Sequence, residues 1–296
     1  MTNTEGKSIR TVLVTLALLA AILGGLWFFG RDRSEQTAFR QTLHITQLLQ
    51  QLGDALHAAA QSEKQAVMAE TDEDSQRFAR DARNATDRVS GLLVELKLLP
   101  LYAPQETELA ARFETAFAEY RKVDEEVLTL AVQNTNVKAL ALSFGQASRD
   151  LTGMEQALQP VLATSSGAAQ SSHDALAAQR AVTEALRIQA MHTPHIMEKT
   201  GARMDELERS MAASDKQVRA ALAMLQDKGT TAKALAAYEN YWKMTAEVLR
   251  LSRENTNVRS LTLSLERKTK ALAMCDEALQ ALDAQVQERM LSKATR

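Results

Sequence analysis

The feature that most limits the fold of this chain is an internal duplication. Asn134-Thr135-Asn136-Val137 recurs as Asn255-Thr256-Asn257-Val258, 121 positions later. The offset holds without a gap from Phe117/Tyr238 to Leu158/Leu279, and about half the positions from 120 to 143 are identical in the second copy. Upstream, Asp87-Arg88-Val89 and Leu93 align with Lys216-Gln217-Val218 and Leu222 at an offset near 129. A shorter connection in the second copy explains the change. A unit of roughly 120 residues is too long for a solenoid repeat and suits a four-helix domain.

Within each copy the apolar residues recur at helical spacing. Val137, Leu140, Phe144, Ala147, Leu151, Met154, Leu158 and Val161 fall on one stripe, as do Val258, Leu261, Leu265, Lys268, Leu272, Cys275, Leu279, Leu282 and Val286. Phe113, Ala116, Tyr120, Val123, Val127 and Leu130 make the preceding helix. The two registers do not join smoothly at Asn134–Asn136, and short polar residues there can cap a helix, which predicts a tight turn; one continuous helix is the other arrangement the pattern allows. Thr71 with Asp74 reads as a near capping box, Thr193-Pro194 as an N-cap followed by a first-turn proline, and Pro100 and Pro104 as brackets of a loop. Composition agrees: aromatics are 4% of the 296 residues, and there are four prolines and eleven glycines. Such a chain is all-α.

Thr11 to Phe29 is an uncharged apolar run of 19 residues. At 1.5 Å per residue it spans about 29 Å, matching a bilayer core of roughly 30 Å. Trp27, Phe28 and Phe29 stand where an interfacial aromatic belt is expected. A cleaved signal peptide would have a shorter apolar core and a small-residue site after it, whereas Trp27-Phe28-Phe29-Gly30-Arg31 follows here. The reading is therefore a short cytoplasmic tail (1–10), a transmembrane signal anchor (11–29), and two tandem antiparallel four-helix units at 31–165 and 166–296. Lys7 and Arg10 before the span, and Arg31, Arg33 and Arg40 after it, balance the positive-inside comparison.

The net charge of −2 offers no basic face for nucleic acid, and the single cysteine, Cys275, excludes disulfide frameworks and Cys-rich metal or haem motifs. No phosphate loop, zinc spacing or nucleophile elbow occurs, so no enzyme, cofactor or metal is expected.

The run from Asn134 to Ser143, with Arg149 and Met154-Glu155-Gln156-Ala157-Leu158 after it, resembles the final helix of the four-helix-bundle sensor domain of methyl-accepting chemotaxis receptors, and so does Asn255 to Leu279. The resemblance implies a periplasmic sensory domain anchored in the inner membrane. The family's second membrane helix, HAMP linker and methylated hairpin are expected to be missing. Output would then come from self-association or a receptor or transducer partner, with a small-molecule ligand possible.

Polar residues on apolar stripes are the candidate sites. Tyr120, Arg121, Tyr241 and Trp242 cluster on the third helices, where they could hold a small anion; ordinary seam packing is the competing reading. Lys268 takes a core-type position that Ala147 holds in the other copy, and is expected to snorkel to the surface. His192 and His195 flank Pro194, with His173 one helix earlier, and read as solvated helix-end groups rather than as metal or haem ligands. Asn134, Asn136, Asn255 and Asn257 read as caps, and Cys275 as a small core hydrophobe.

Overall fold

The computed structural model describes residues 37, 39–101, 103–163 and 169–294, and no strand occurs among them. The helices are α1 (39–68), α2 (Asp72–Leu98), α3 (Pro104–Ala131), α4 (Thr135–Leu142), α5 (Ser148–Ala163), α6 (Ala169–Ile196), α7 (Gly201–Ala223), α8 (Lys228–Glu254), α9 (Thr256–Leu263) and α10 (Thr269–Ala294). The all-α class follows directly. The apolar run Thr11–Phe29 lies outside the described residues. Among those described, no helix is long and apolar enough to cross a membrane.

Local signals act where elementary chemistry places them. The Asp74 amide donates to Thr71 Oγ1 at 3.1 Å, so the expected capping box opens α2. Pro104 is the first residue of α3, where its missing N–H costs nothing. Pro194 behaves differently from the expectation: it lies inside the last turn of α6, and the next N-cap is Thr200, before Gly201. A proline there forfeits its bond to the carbonyl four residues back, and α6 ends two residues later.

Two five-residue π-helical turns, Ser143–Ala147 and Ser264–Lys268, occupy equivalent places in the two copies. Each joins the short helix before it (α4 or α9) to the long helix after it (α5 or α10). A π turn inserts one residue into the 3.6 period and rotates everything beyond it. Ser143 and Ser264 are consequently buried, whereas Phe144 and Leu265, expected on the inner stripe, are 67% and 62% exposed. From Ala147 and Lys268 onward the predicted stripes turn inward again, with Leu151, Met154, Leu158, Cys275, Leu279, Leu282 and Val286 buried.

Two compact units divide the chain. In the first, made of the described residues up to Ala58, Ala85–Glu119 and those from Ala271, the core holds Leu48, Leu52 and Leu56 of α1, Val89 and Leu96 of α2, Phe113 and Phe117 of α3, and Cys275, Leu282 and Val286 of α10. Polar contacts run round this group of four. His44 meets Glu95 at 3.2 Å, Lys97 meets Glu114 at 2.7 Å, Arg289 meets Glu106 at 2.8 Å, and His57 meets Asp276 at 3.3 Å.

The second unit comprises Ala59–Asn84 and Tyr120–Lys270. Its main core packs Leu151, Met154 and Leu158 of α5 with Ala181 and Ile188 of α6, Met211 and Val218 of α7, and Tyr238 and Tyr241 of α8. A second cluster joins Val67 of α1, Ala79 and Ala82 of α2 and Val123 and Val127 of α3, with Leu263 of α9 packed on it. The fourth helices therefore exchange. α5 packs with the first three helices of the second copy, and α9 and α10 pack with those of the first. This corrects the reading of residues 31–165 and 166–296 as quartets that each close on themselves. Periodicity specifies that a fourth helix has an apolar stripe, but two near-identical stripes suit either trio. The junction at the duplicated asparagines decides between them.

Candidate functional site

Asn134 and Asn255 break their helices by adopting left-handed backbone, φ 51° and 52°. Asparagine tolerates this region because its short side chain bonds locally. The expected turn is thus a one-residue break, after which the chain does not fold back on its own copy. Helix α4 and helix α9 begin just beyond it and face one another, each starting with four amides that have no partner within the helix. The other copy supplies several. Thr135 N donates to Thr256 Oγ1 at 3.2 Å and Thr256 N to Thr135 Oγ1 at 3.1 Å. Asn136 N donates to Asn257 Oδ1 at 3.1 Å and Asn257 N to Asn136 Oδ1 at 3.2 Å. Side-chain amides continue the pattern: Asn136 Nδ2 to Asn255 Oδ1 at 2.8 Å, and Asn257 Nδ2 to Asn134 Oδ1 at 3.0 Å. Asn136 and Asn255 also tie the end of α6, donating to Ile196 O at 2.6 Å and Glu198 O at 2.9 Å. Of the four asparagines expected as caps of their own helices, Asn136 and Asn257 cap the helix of the other copy, while Asn134 and Asn255 hold the junction through their side-chain amides.

Beside α9 lies a buried charged group. Lys268 is 2% exposed, so it does not snorkel. Its Nζ pairs with Asp124, stands 3.4 Å from Glu63 Oε2, and lies 4.4 Å from the centroid of the Tyr120 ring. Burial pushes the Glu63 carboxyl above its usual range against the opposing pull of Lys268. Removing charges from water is costly, and the ion pair plus the ring face offset that cost.

The second copy has an uncharged counterpart. His192 is fully buried, its Nδ1 2.9 Å from Ser143 Oγ and its ring 6.1 Å from that of Tyr241. Burial lowers its pKa to about 4, so the ring is neutral near pH 7. His195 is buried as well. Its Nδ1 lies 2.8 Å from Ser252 Oγ and its Nε2 2.9 Å from Glu208 Oε1, which Arg253 also holds at 2.7 Å. Both histidines were expected in solvent. Instead α6 runs on through Pro194 and turns the two inward, three residues apart on one face.

Of the other sequence candidates, Tyr120 and Tyr241 are core residues, each at the centre of one polar group, and Tyr241 makes a long contact to Ala185 O at 3.4 Å. Trp242 is half-buried against the α5–α8 core, and Arg121 is exposed one helical step away from Tyr120. The structure does not bring these four together. Cys275 is buried, its thiol pushed up to about 12 by burial, and His173 is half-exposed beside Asp174. Among the described residues no His, Cys, Asp and Glu cluster is placed to hold a metal. Sequence reasoning missed Glu63, Asp124, Ser143, Thr245 and Ser264. The copies themselves carried the signal, because Asp124/Thr245 and Ala147/Lys268 change polarity together while Tyr120/Tyr241 does not.

Exchanged helical quartets locked by a reciprocal polar junction define a class of helical module. The chain belongs to the family of four-helix-bundle sensory modules for signal transduction, which it matches over residues 8–180, more than half its length. No curated protein and no solved structure matches it.

Proposed function

We propose that the chain is a membrane-anchored, extracytoplasmic sensory module in which Thr11–Phe29 is a signal anchor and the two copies, 31–165 and 166–296, form tandem four-helix bundles with exchanged fourth helices. The family match carries this reading, since it begins at residue 8 and so includes the apolar run with the first copy. The module is not an enzyme, and it works through self-association or a receptor or transducer partner. Tyr120, Arg121, Tyr241 and Trp242 remain the candidate ligand contacts, the two tyrosines through the polar groups they cover.

Two measurements test it. Protease added to spheroplasts digests residues beyond Arg31 if the helices face the periplasm; protection places them inside and rejects the topology. A thermal-shift screen of the full chain against small metabolites then separates sensor from scaffold, because a ligand of the folded state raises the melting temperature by mass action. The scaffold reading has one observation in its favour: Tyr120 and Tyr241 are sealed in core rather than lining a cleft.

A further inference from the structure

At one end of the first unit α1 begins, α2 ends, α3 begins and α10 ends. Two ion pairs tie the four together there, His44 with Glu95 at 3.2 Å and Arg289 with Glu106 at 2.8 Å. That end is unusually apolar. Phe39 and Leu43 stand one turn apart on α1, Val94 and Leu98 one turn apart on α2, and Leu291 lies near the end of α10; all five are exposed, Leu98 by 81% and Leu291 by 70%. The connection from α2 to α3 continues the pattern: no charged residue occurs from Leu98 to Gln105, and Leu99 and Leu101 are only half-buried. Connections between helices are ordinarily polar. Those after α1 and α6 carry Glu70 and Thr71, and Glu198, Lys199 and Thr200. Charge at the apolar end is also drawn inward, since the fully buried Glu106 takes up the Arg289 guanidinium. Single exposed leucines are normal on a helical surface, but a group of them around an uncharged turn marks a face that something apolar covers.

We propose that this end of the first unit is seated on the lipid surface, with Phe39, Leu98, Leu291 and the turn from Leu98 to Leu101 in the boundary between headgroups and acyl chains. The proposal rests on the reading of Thr11–Phe29 as an anchor. The chain from that run to α1 names the occupant. Only residues 30–38 separate Phe29 from Phe39. Even fully extended they reach about 30 Å, at about 3.4 Å each. The start of α1 is thus tethered close to the bilayer, and the uncharged turn and the end of α10 lie at that same end of the four helices. Interfacial insertion of apolar side chains takes this form, a shallow contact that needs no second span. Each leucine taken fully out of water favours the seated state by roughly tenfold or more.

The test uses the full chain in uncharged phosphatidylcholine vesicles holding lipid with a nitroxide either near the headgroup or deep in the acyl chain. A fluorophore is attached through Leu98→Cys, Leu291→Cys or Met274→Cys, and through Leu19→Cys within the apolar run. The native Cys275 is buried, its thiol held near 12, and does not react. The shallow nitroxide is expected to quench the labels at positions 98 and 291 but not the label at 274, which is exposed on α10 about 25 Å further from the apolar end. The deep nitroxide quenches the label at 19. Leu98→Glu should remove most of the quenching at 291 and leave the melting temperature unchanged, because Leu98 lies outside the core. Quenching at 19 with none at 98 and 291 overturns the seat while the anchor stands. No quenching at 19 rejects the anchor, and the seat with it. Quenching at 291 that survives Leu98→Glu undiminished reflects tethering alone and also rejects the seat. Disulfide-linked dimers through Leu98→Cys, without lipid quenching, assign the face to a second copy of the chain instead.

Discussion

Lys268 shows how one residue's environment decides its role. Its ammonium is held by Asp124, Glu63 and the Tyr120 ring. Lys268→Met keeps the stem and deletes the charge, leaving the buried Glu63 and Asp124 carboxyls without the ammonium. Urea melts are expected to show a loss of about 3–5 kcal/mol, the usual penalty for breaking a buried pair from one side. Converting the whole set to its counterpart, with Lys268→Ala, Asp124→Thr and Glu63→His together, is expected to recover much of that loss. The histidines add a pH dependence. His192 has a folded pKa of about 4 against 6.5 for the free group. The unfolded chain therefore binds its proton first, and stability is full above 6.5 and falls as pH drops toward 4. With about 1.4 kcal/mol per unit, this amounts to about 3 kcal/mol, and His192→Asn should flatten that part of the curve. Glu63 acts in the opposite sense: its raised pKa favours the folded state at low pH, a contribution lost as pH rises above 4.5 through the folded value. Chemical melts from pH 4 to 8 on the wild type and on each single variant resolve the two slopes.

Elements were read with uneven success, for physical reasons. Helices α3, α5 and α10 follow from periodicity, and the capping box at Thr71 was visible because its bonds are local. The π turns were not, since an insertion of one residue leaves the same apolar residues in the same order and only rotates them; Phe144 and Leu265 changed faces as a result. The helix breaks at Asn134 and Asn255 were visible, but not their trans capping, because the partners lie 121 residues apart. These breaks are testable. Asn134→Ala and Asn255→Ala each force a Cβ-bearing residue into left-handed backbone and remove an amide bonded across the junction, and each should cost about 1–3 kcal/mol by thermal or urea melts. Glycine at the same positions relieves the backbone but not the lost bonds, so it should fall between alanine and the wild type. Equal stability of alanine, glycine and asparagine would mean that the φ values and the bonds at these two sites contribute nothing.

For the molecule as a whole, the question is which trio each fourth helix completes. Sequence could not answer it, because the two stripes are near copies and hydrophobic burial is non-directional. The His57–Asp276 contact at 3.3 Å sets α10 against α1 and offers a direct check. With His57→Cys and Asp276→Cys, a short bismaleimide is expected to close a loop within one chain, seen as a faster-migrating monomer on a denaturing gel. The native Cys275, buried with its thiol held near 12, stays silent at neutral pH. Absence of the loop, with the protein folded, would return α10 to its own copy and sink the exchange.

The exchange also bears on how such a gene can change. Each quartet draws a member from the opposite half of the chain, so deleting either half would uncover the surviving trio unless its own fourth helix doubled back to replace the lost one. Duplications usually free one descendant to decay or diverge. This one ties both descendants to a common fate, and the buried positions have changed as a set, with Ala147, His192 and Thr245 standing where the other copy has Lys268, Glu63 and Asp124.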